Sequence, residues 1–321
     1  MPDPTESVII ATFSTAFGLF ALAAGARKWR GSPAEPLPAE PASAPAPATL
    51  PEYAPVGGFE DSPYQPPSSE SVAVPPPLPV GRVATWFYRP LDLLGLGFVF
   101  ALFFGLVIGS VRTAASADQT LNPAGLIVSI AFQFIIAGIV TATVISRVRP
   151  VEWLGLKWPA WRWVFLIAPA TVLGMWVFFF GLQASGFMQW IESFGVEAVQ
   201  DTVKILQTST DPVVLGLMAF AAVAAAPLCE EIVFRGYLYS ASKRFSGPWI
   251  AGICSALIFA AAHGSIAALL PLFVFGCVLA FIYEKTGSLW APIAVHFCFN
   301  GATVLVQMIA RYFPVPLEGI S

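Results

Sequence analysis

VVLGLMAFAAVAAAPLCEEIVFRGYLYSASKRFSGP, residues 213–248, opens with seventeen positions that carry no charge and then sets Glu230, Glu231 and Arg235 into the same run. A helix crossing a ~30 Å hydrocarbon core needs about twenty predominantly apolar residues. This run continues to about Arg244 before Ser246-Gly247-Pro248 breaks it. The stretch therefore reads as a membrane-spanning helix with ionisable groups deep inside it. Such groups are costly at that depth and mark function by default.

Seven further apolar stretches lie around it: Ser7 to about Ala26, Leu93–Val111, Pro123–Ile145, Val164–Phe187, Trp249–His263, Ile266–Tyr283 and Leu289–Ile309. Those starting at Trp249 and Ile266 are slightly short for a full crossing. The fold class that follows is all-α, a polytopic helical membrane bundle of about eight transmembrane helices. Composition agrees, with 57% hydrophobic and 11% charged residues in a chain of 321, where a soluble domain carries roughly a quarter charged. The lipid bilayer is the expected partner and nucleic acid is not. The four cysteines, Cys229, Cys254, Cys277 and Cys298, form no CxxC pair and read as small hydrophobes facing other helices.

Four segments follow: an N-terminal membrane anchor at 1–30, a linker at 31–85, accessory membrane helices at 86–212, and the helices bearing the ionisable groups at 213–312. Arg27, Lys28 and Arg30 follow the first apolar stretch while Asp3 and Glu6 precede it. A secretory signal carries its positive charge in front, so this order predicts a retained anchor with its N-terminus outside. Residues 31–80 hold fifteen prolines, six acidic residues and no Lys or Arg, the composition of an extended, disordered linker. Met188 to Asp211 mixes aromatic and acidic residues like an amphipathic surface helix. With eight spans, thirteen Lys and Arg fall inside, against Arg112, Lys204 and Arg311 outside, as the positive-inside rule requires. The expectation is a bacterial inner membrane protein with a cytoplasmic linker.

Three polar clusters sit on apolar helices: Glu230-Glu231-Ile-Val-Phe-Arg235-Gly236, Phe259-Ala-Ala-Ala-His263 and His296-Phe-Cys-Phe-Asn300. Glu230 lies 16 residues before Ser246 and His263 lies 16 after Gly247. Antiparallel helices would bring both to about 24 Å from that turn. A second turn at Thr286-Gly287 sets His296 and Asn300 about 14 and 20 Å in from the same side. The chain's two histidines thus fall near one layer. Glu231 and Arg235, at i and i+4, share a face and can form a structural ion pair. Glu230, rotated by about 100°, is left as the free carboxylate and the candidate general base. His296 and Asn300, one turn apart, are natural donors to an oxyanion. Helix bridging is the plainer reading of Asn300, and packing that of Phe259.

The order EExxxRG, FxxxH, HxxxN, each on its own apolar helix, resembles the CAAX protease and bacteriocin-processing (CPBP) family, also called the type II CAAX prenyl endopeptidase or Abi family. The likeness covers roughly Val213 to Val306. Glu230, Glu231 and Arg235 fall on the first motif, Phe259 and His263 on the second, His296 and Asn300 on the third. It implies a helical bundle with a polar cavity open to the cytoplasmic side, and an intramembrane endopeptidase acting on a membrane-associated protein or peptide, prenylated CAAX-type tails among them. The implied catalytic set is Glu230, Glu231, His263, His296 and Asn300. Glu230, assisted by His263, would activate a water, and His296 and Asn300 would hold the oxyanion. Two cofactor readings stay open: zinc on Glu230, His263 and His296, a His₂Glu set, and a metal-free glutamate mechanism, which Asn300 favours. Residues 1–90 have no counterpart in the likeness and read as an addition.

Other intramembrane proteases fit less well. There is no HExxH, no aspartate within an apolar run and no GxSG serine motif. The rival class is non-catalytic: a proton-coupled transporter or an immunity or scaffold protein using the same buried layer. No inverted repeat or paired broken helices support transport.

Overall fold

The computed structural model describes residues 4–30, 83–114, 122–195 and 206–312, and among them every regular element is a helix. Most of the proline-rich linker, residues 31–82, lies outside the described residues, as does 196–205 of the expected surface helix. The described parts of that surface segment hold a six-residue helix, Phe187–Glu192, and a helical turn at 206–208.

In chain order the elements are α1 (Pro4–Trp29), α2 (Asp92–Ala114), α3 (Pro123–Ile145), α4 (Pro150–Trp153), α5 (Val164–Ala184), α6 (Phe187–Glu192), α7 (Pro212–Ser246), α8 (Pro248–Ala261), α9 (Ile266–Thr286) and α10 (Trp290–Tyr312). Seven of them are long and apolar enough to cross a membrane. The eighth expected span, α8, has 14 residues, about 21 Å of helix. It still joins the turn at Gly247 to a turn beside Val111, near the far end of α2.

α7 is not a uniform α-helix. It passes through two π stretches, Ala221–Ala225 and Glu231–Tyr239. The first has a cause in the sequence. Ala226 returns its N–H five residues back, to the Ala221 carbonyl. In that register residue 227 would bond Ala222, but Pro227 has no N–H to give. The Ala222 carbonyl is therefore free, and Asn300 Nδ2 on α10 donates to it at 2.8 Å. π turns of this kind gather at functional sites; Glu230 lies between these two and Glu231 opens the second.

The four C-terminal helices form the centre. α8 packs along α9, α10 lies against α5, and α3 flanks α7. α1 packs along α8 and shares its core, which runs without a break from Ile9 and Phe13 to Phe259, Leu279 and Val295. Phe13 is fully buried and meets Phe100 and Phe104 in edge-on contacts at 5.4 and 5.5 Å. The Cys254 thiol donates to the Ala16 carbonyl at 3.2 Å. The anchor thus belongs to the same packed unit as the polar layer.

The chain re-enters the bundle at Val83. Lys243 Nζ donates to the Val83 carbonyl at 2.7 Å and to both Glu284 oxygens at 2.9 Å. Tyr88 shares a hydrogen bond of 2.6 Å with Ser240 Oγ, and Trp153 Nε1 donates to the Gly236 carbonyl at 3.0 Å. Burial pushes the Tyr88 phenol above its ordinary range, so it stays a donor. Charged contacts between helix ends sort into two sets. Arg27 lies beside Gly247 and Arg147 pairs with Asp92 at one end; Arg112 pairs with Glu6 at the other.

Candidate active site

Glu231 and Arg235 are both fully buried on α7, and Arg235 Nη1 donates to Glu231 Oε1 at 2.8 Å. The expected i, i+4 pair is present. Arg235 is further held by the Gly276 carbonyl on α9, which accepts from Nη2 at 3.1 Å. Its guanidinium carbon stands 4.4 Å from the centre of the Phe259 ring, a cation–π contact. Gly276 makes this approach possible. A Cβ there would stand 2.9 Å from the Ala256 Cβ and 3.3 Å from the Phe259 ring.

The pair has a third member that spacing did not reveal. His296 Nδ1, on α10, lies 2.9 Å from the same Glu231 Oε1. A carboxylate oxygen accepts, so the imidazole donates its Nδ1–H and is left with Nε2 for other work. That Nε2 stands 3.9 Å from Glu230 Oε2. The gap is too long for a direct hydrogen bond and suits a bridging water. Glu230 keeps 24% of its side chain exposed where Glu231 keeps none. The two adjacent carboxylates therefore differ as their helical offset predicts. Glu231 is committed to two partners, and Glu230 is open.

His263 lies two residues beyond α8, in the turn that leads to α9, and is exposed. α8 stops short of it because Gly264 takes φ 66°, a left-handed conformation that ends the helix. His263 Nδ1 meets the Phe259 carbonyl at 2.8 Å. A carbonyl only accepts, so this imidazole too donates from Nδ1 and keeps Nε2 free. The contact that joins it to the rest of the cluster is the Phe259 ring, 4.9 Å from His263 and 5.9 Å from His296. Asn300, half-buried, gives one of its amide hydrogens to Ala222, so the bridging role holds and a second hydrogen remains for another acceptor.

Among the described residues, no three His, Cys, Asp or Glu side chains are gathered closely enough to hold a metal ion. The conditional zinc set of Glu230, His263 and His296 is therefore not assembled. His263 meets the others through a phenyl ring.

The chemistry available is that of one open carboxylate beside an imidazole whose orientation is fixed from behind, with a second imidazole and an amide at the margin. The sequence did not show Gly276, or the link from His296 to Glu231. Phe259 was visible as the residue one turn before His263, but nothing in its spacing pointed to both histidines.

Comparison with known proteins bears on the same segment. Residues 212–302 match the family model described as Rce1-like, type II CAAX prenyl endopeptidase. A Bacillus subtilis (strain 168) protein named "Putative membrane peptidase YdiL" is 28% identical over 117 residues, 36% of this chain and 44% of that one. The "Membrane-embedded CAAX protease MroQ" of Staphylococcus aureus (strain USA300) is 37% identical over 89 residues, 26% of this chain and 36% of that one. The chain thus spans less than half the length of each of these relatives. No solved structure matches it.

Proposed function

We propose that this integral membrane protein, whose residues 212–302 belong to the CAAX protease and bacteriocin-processing family, is an intramembrane endopeptidase that hydrolyses a peptide bond in a membrane-associated protein or peptide. The observation that carries the mechanism is the unequal commitment of the two glutamates. Glu231 is held by Arg235 and His296, whereas Glu230 is partly open and faces His296 Nε2.

Glu230, assisted by His263, takes a proton from a water as its oxygen forms a bond to the scissile carbonyl carbon. The carbonyl oxygen becomes an oxyanion; the second Asn300 amide hydrogen is one donor to it, and His296 is the other when Nε2 carries a proton as well as Nδ1. The proton on Glu230 then passes to the amide nitrogen as the C–N bond breaks. Glu231 acts one step back by holding His296 through Nδ1. A prenylated CAAX-type tail is the first substrate to try, in a bacterial inner membrane, with the N-terminus outside and the polar layer reached from the cytoplasmic side.

The test is cleavage of a quenched fluorescent prenylated peptide by purified protein in liposomes. Wild type should release product and Glu230→Gln should be slower by roughly 10²-fold or more. Equal rates in the two proteins sink the mechanism. Proton-coupled flux in vesicles without cleavage would favour the transporter reading.

A further inference from the structure

We propose that Phe259 is a positioning residue that sets the orientation of both histidines. The proposal rests on the peptidase reading for its kinetic consequence and on geometry for the rest. Each imidazole has one hydrogen bond at Nδ1, to the Phe259 carbonyl for His263 and to Glu231 for His296. One bond fixes one ring atom and leaves the ring plane free to swing about it. A second contact is needed to fix the plane. For His263 the Phe259 ring supplies it, at an interplanar angle of 70°, and for His296 it does so jointly with Phe275, at 80° and 84°.

The ring is itself held. Phe259 is fully buried, Arg235 stands 4.4 Å above it, and Phe234 meets it edge-on at 5.3 Å. Edge-on geometry is the preferred arrangement for aromatic pairs, and an aliphatic side chain of similar bulk offers neither a planar face nor a quadrupole for the guanidinium. Phe259 therefore links the Glu231–Arg235–His296 cluster to His263, which lies in a turn and has no helix to steady it. Being fully buried, the ring cannot meet substrate directly, so its loss should act on turnover and not on binding.

The experiment compares Phe259→Leu with Phe13→Leu, which removes the same bulk from a fully buried ring whose aromatic partners are Phe100 and Phe104. Phe259→Leu should lower kcat by roughly 10- to 100-fold with KM within about twofold. Phe13→Leu should keep kcat within about threefold. If Phe259→Leu does not fold, Phe259→Met, which adapts to irregular gaps, takes its place. Because the chain has two histidines, selective ¹⁵N labelling gives two imidazole signal sets, which report tautomer and environment without any substrate. Both should show Nδ1–H in wild type and both should move in the ring-less Phe259 variant, but not in Phe13→Leu. Unmoved imidazole signals overturn the proposal, as does an equal loss of kcat in the Phe13 variant. If wild type cleaves nothing, the peptidase reading fails, and the labelled spectra still decide whether Phe259 orients the two rings.

Discussion

His296 Nδ1 donates to Glu231 Oε1 at 2.9 Å across 65 residues of sequence, on the oxygen that Arg235 holds at 2.8 Å. Glu231 is thus more than half of an ion pair, since it also decides which nitrogen of His296 faces Glu230. Glu231→Gln should therefore fail twice. Leaving Arg235 buried without its carboxylate costs on the order of 3–5 kcal/mol, read as a lowered Tm in detergent. Turnover of whatever remains folded should also fall by roughly 10-fold or more, because an amide holds the imidazole less firmly than a carboxylate. A folded Glu231→Gln protein of normal Tm and normal turnover would remove both roles.

Glu230→Gln separates chemistry from stability. This side chain is partly open, and His296 Nε2 stands 3.9 Å away, beyond direct hydrogen-bond reach. Its replacement should shift Tm by no more than about 0.5 kcal/mol equivalent and slow cleavage by roughly 10²-fold or more. If Glu230→Gln cleaves normally while Glu231→Gln is folded and inert, the general base is Glu231.

The contrast between these two residues shows what the sequence carried. The turns at Gly247 and Gly287, the Glu231–Arg235 pair and the 100° offset of Glu230 are local consequences of helical spacing, and all were legible. The His296–Glu231 contact joins two helices whose relative rotation no spacing rule fixes. The π stretches around Glu230 were hidden because apolar periodicity assumes a uniform 3.6-residue turn. α1 is apolar on every side, so its sequence marks no face for α8, and its place in the core emerges only from packing. His263 read as a helix-end residue, and it lies in the turn because Gly264 stops the helix early.

The packing of α1 gives a test of its own. Phe13→Ala removes a fully buried ring that meets Phe100 and Phe104 and should cost about 3–5 kcal/mol, seen as a large fall in Tm of the purified protein. Deleting residues 35–75 of the proline-rich segment should leave Tm unchanged and activity within a few-fold, because its composition offers no core to bury. Insensitivity to Phe13→Ala would mean that α1 is dispensable to the core.

Gly276→Ala probes the close approach of α9 to α8. The new methyl would meet the Ala256 Cβ at 2.9 Å, its Cα at 3.0 Å and the Phe259 ring at 3.3 Å. Two of those neighbours are rigid, so the helices must part, at roughly 1–3 kcal/mol. The Gly276 carbonyl moves with them, loosening Arg235 as well. Lower Tm together with slower cleavage is expected, and an unchanged Tm would show that α9 has room to spare.

Orientation in the bilayer can be tested on residues away from the site. Lys157 is exposed in the segment between α4 and α5, which also carries Arg162, and Arg147 and Arg149 precede α4. Ser185 is exposed at the other end of α5, where no Lys or Arg lies nearby in sequence. α5 has 21 residues, about 31 Å of helix, enough to put the two positions on opposite sides of the hydrocarbon core. Positive charge is retained on the cytoplasmic side, so Lys157 should be inside and Ser185 outside. A membrane-impermeant thiol reagent should then label Ser185→Cys in intact cells and Lys157→Cys only after lysis, with the wild-type chain as background. The opposite pattern inverts the whole bundle, because the turns at Gly247 and Gly287 and the linker all follow from the side on which α5 begins. It would also set the turn that holds His263, at the end of α8 away from Gly247, on the cytoplasmic side.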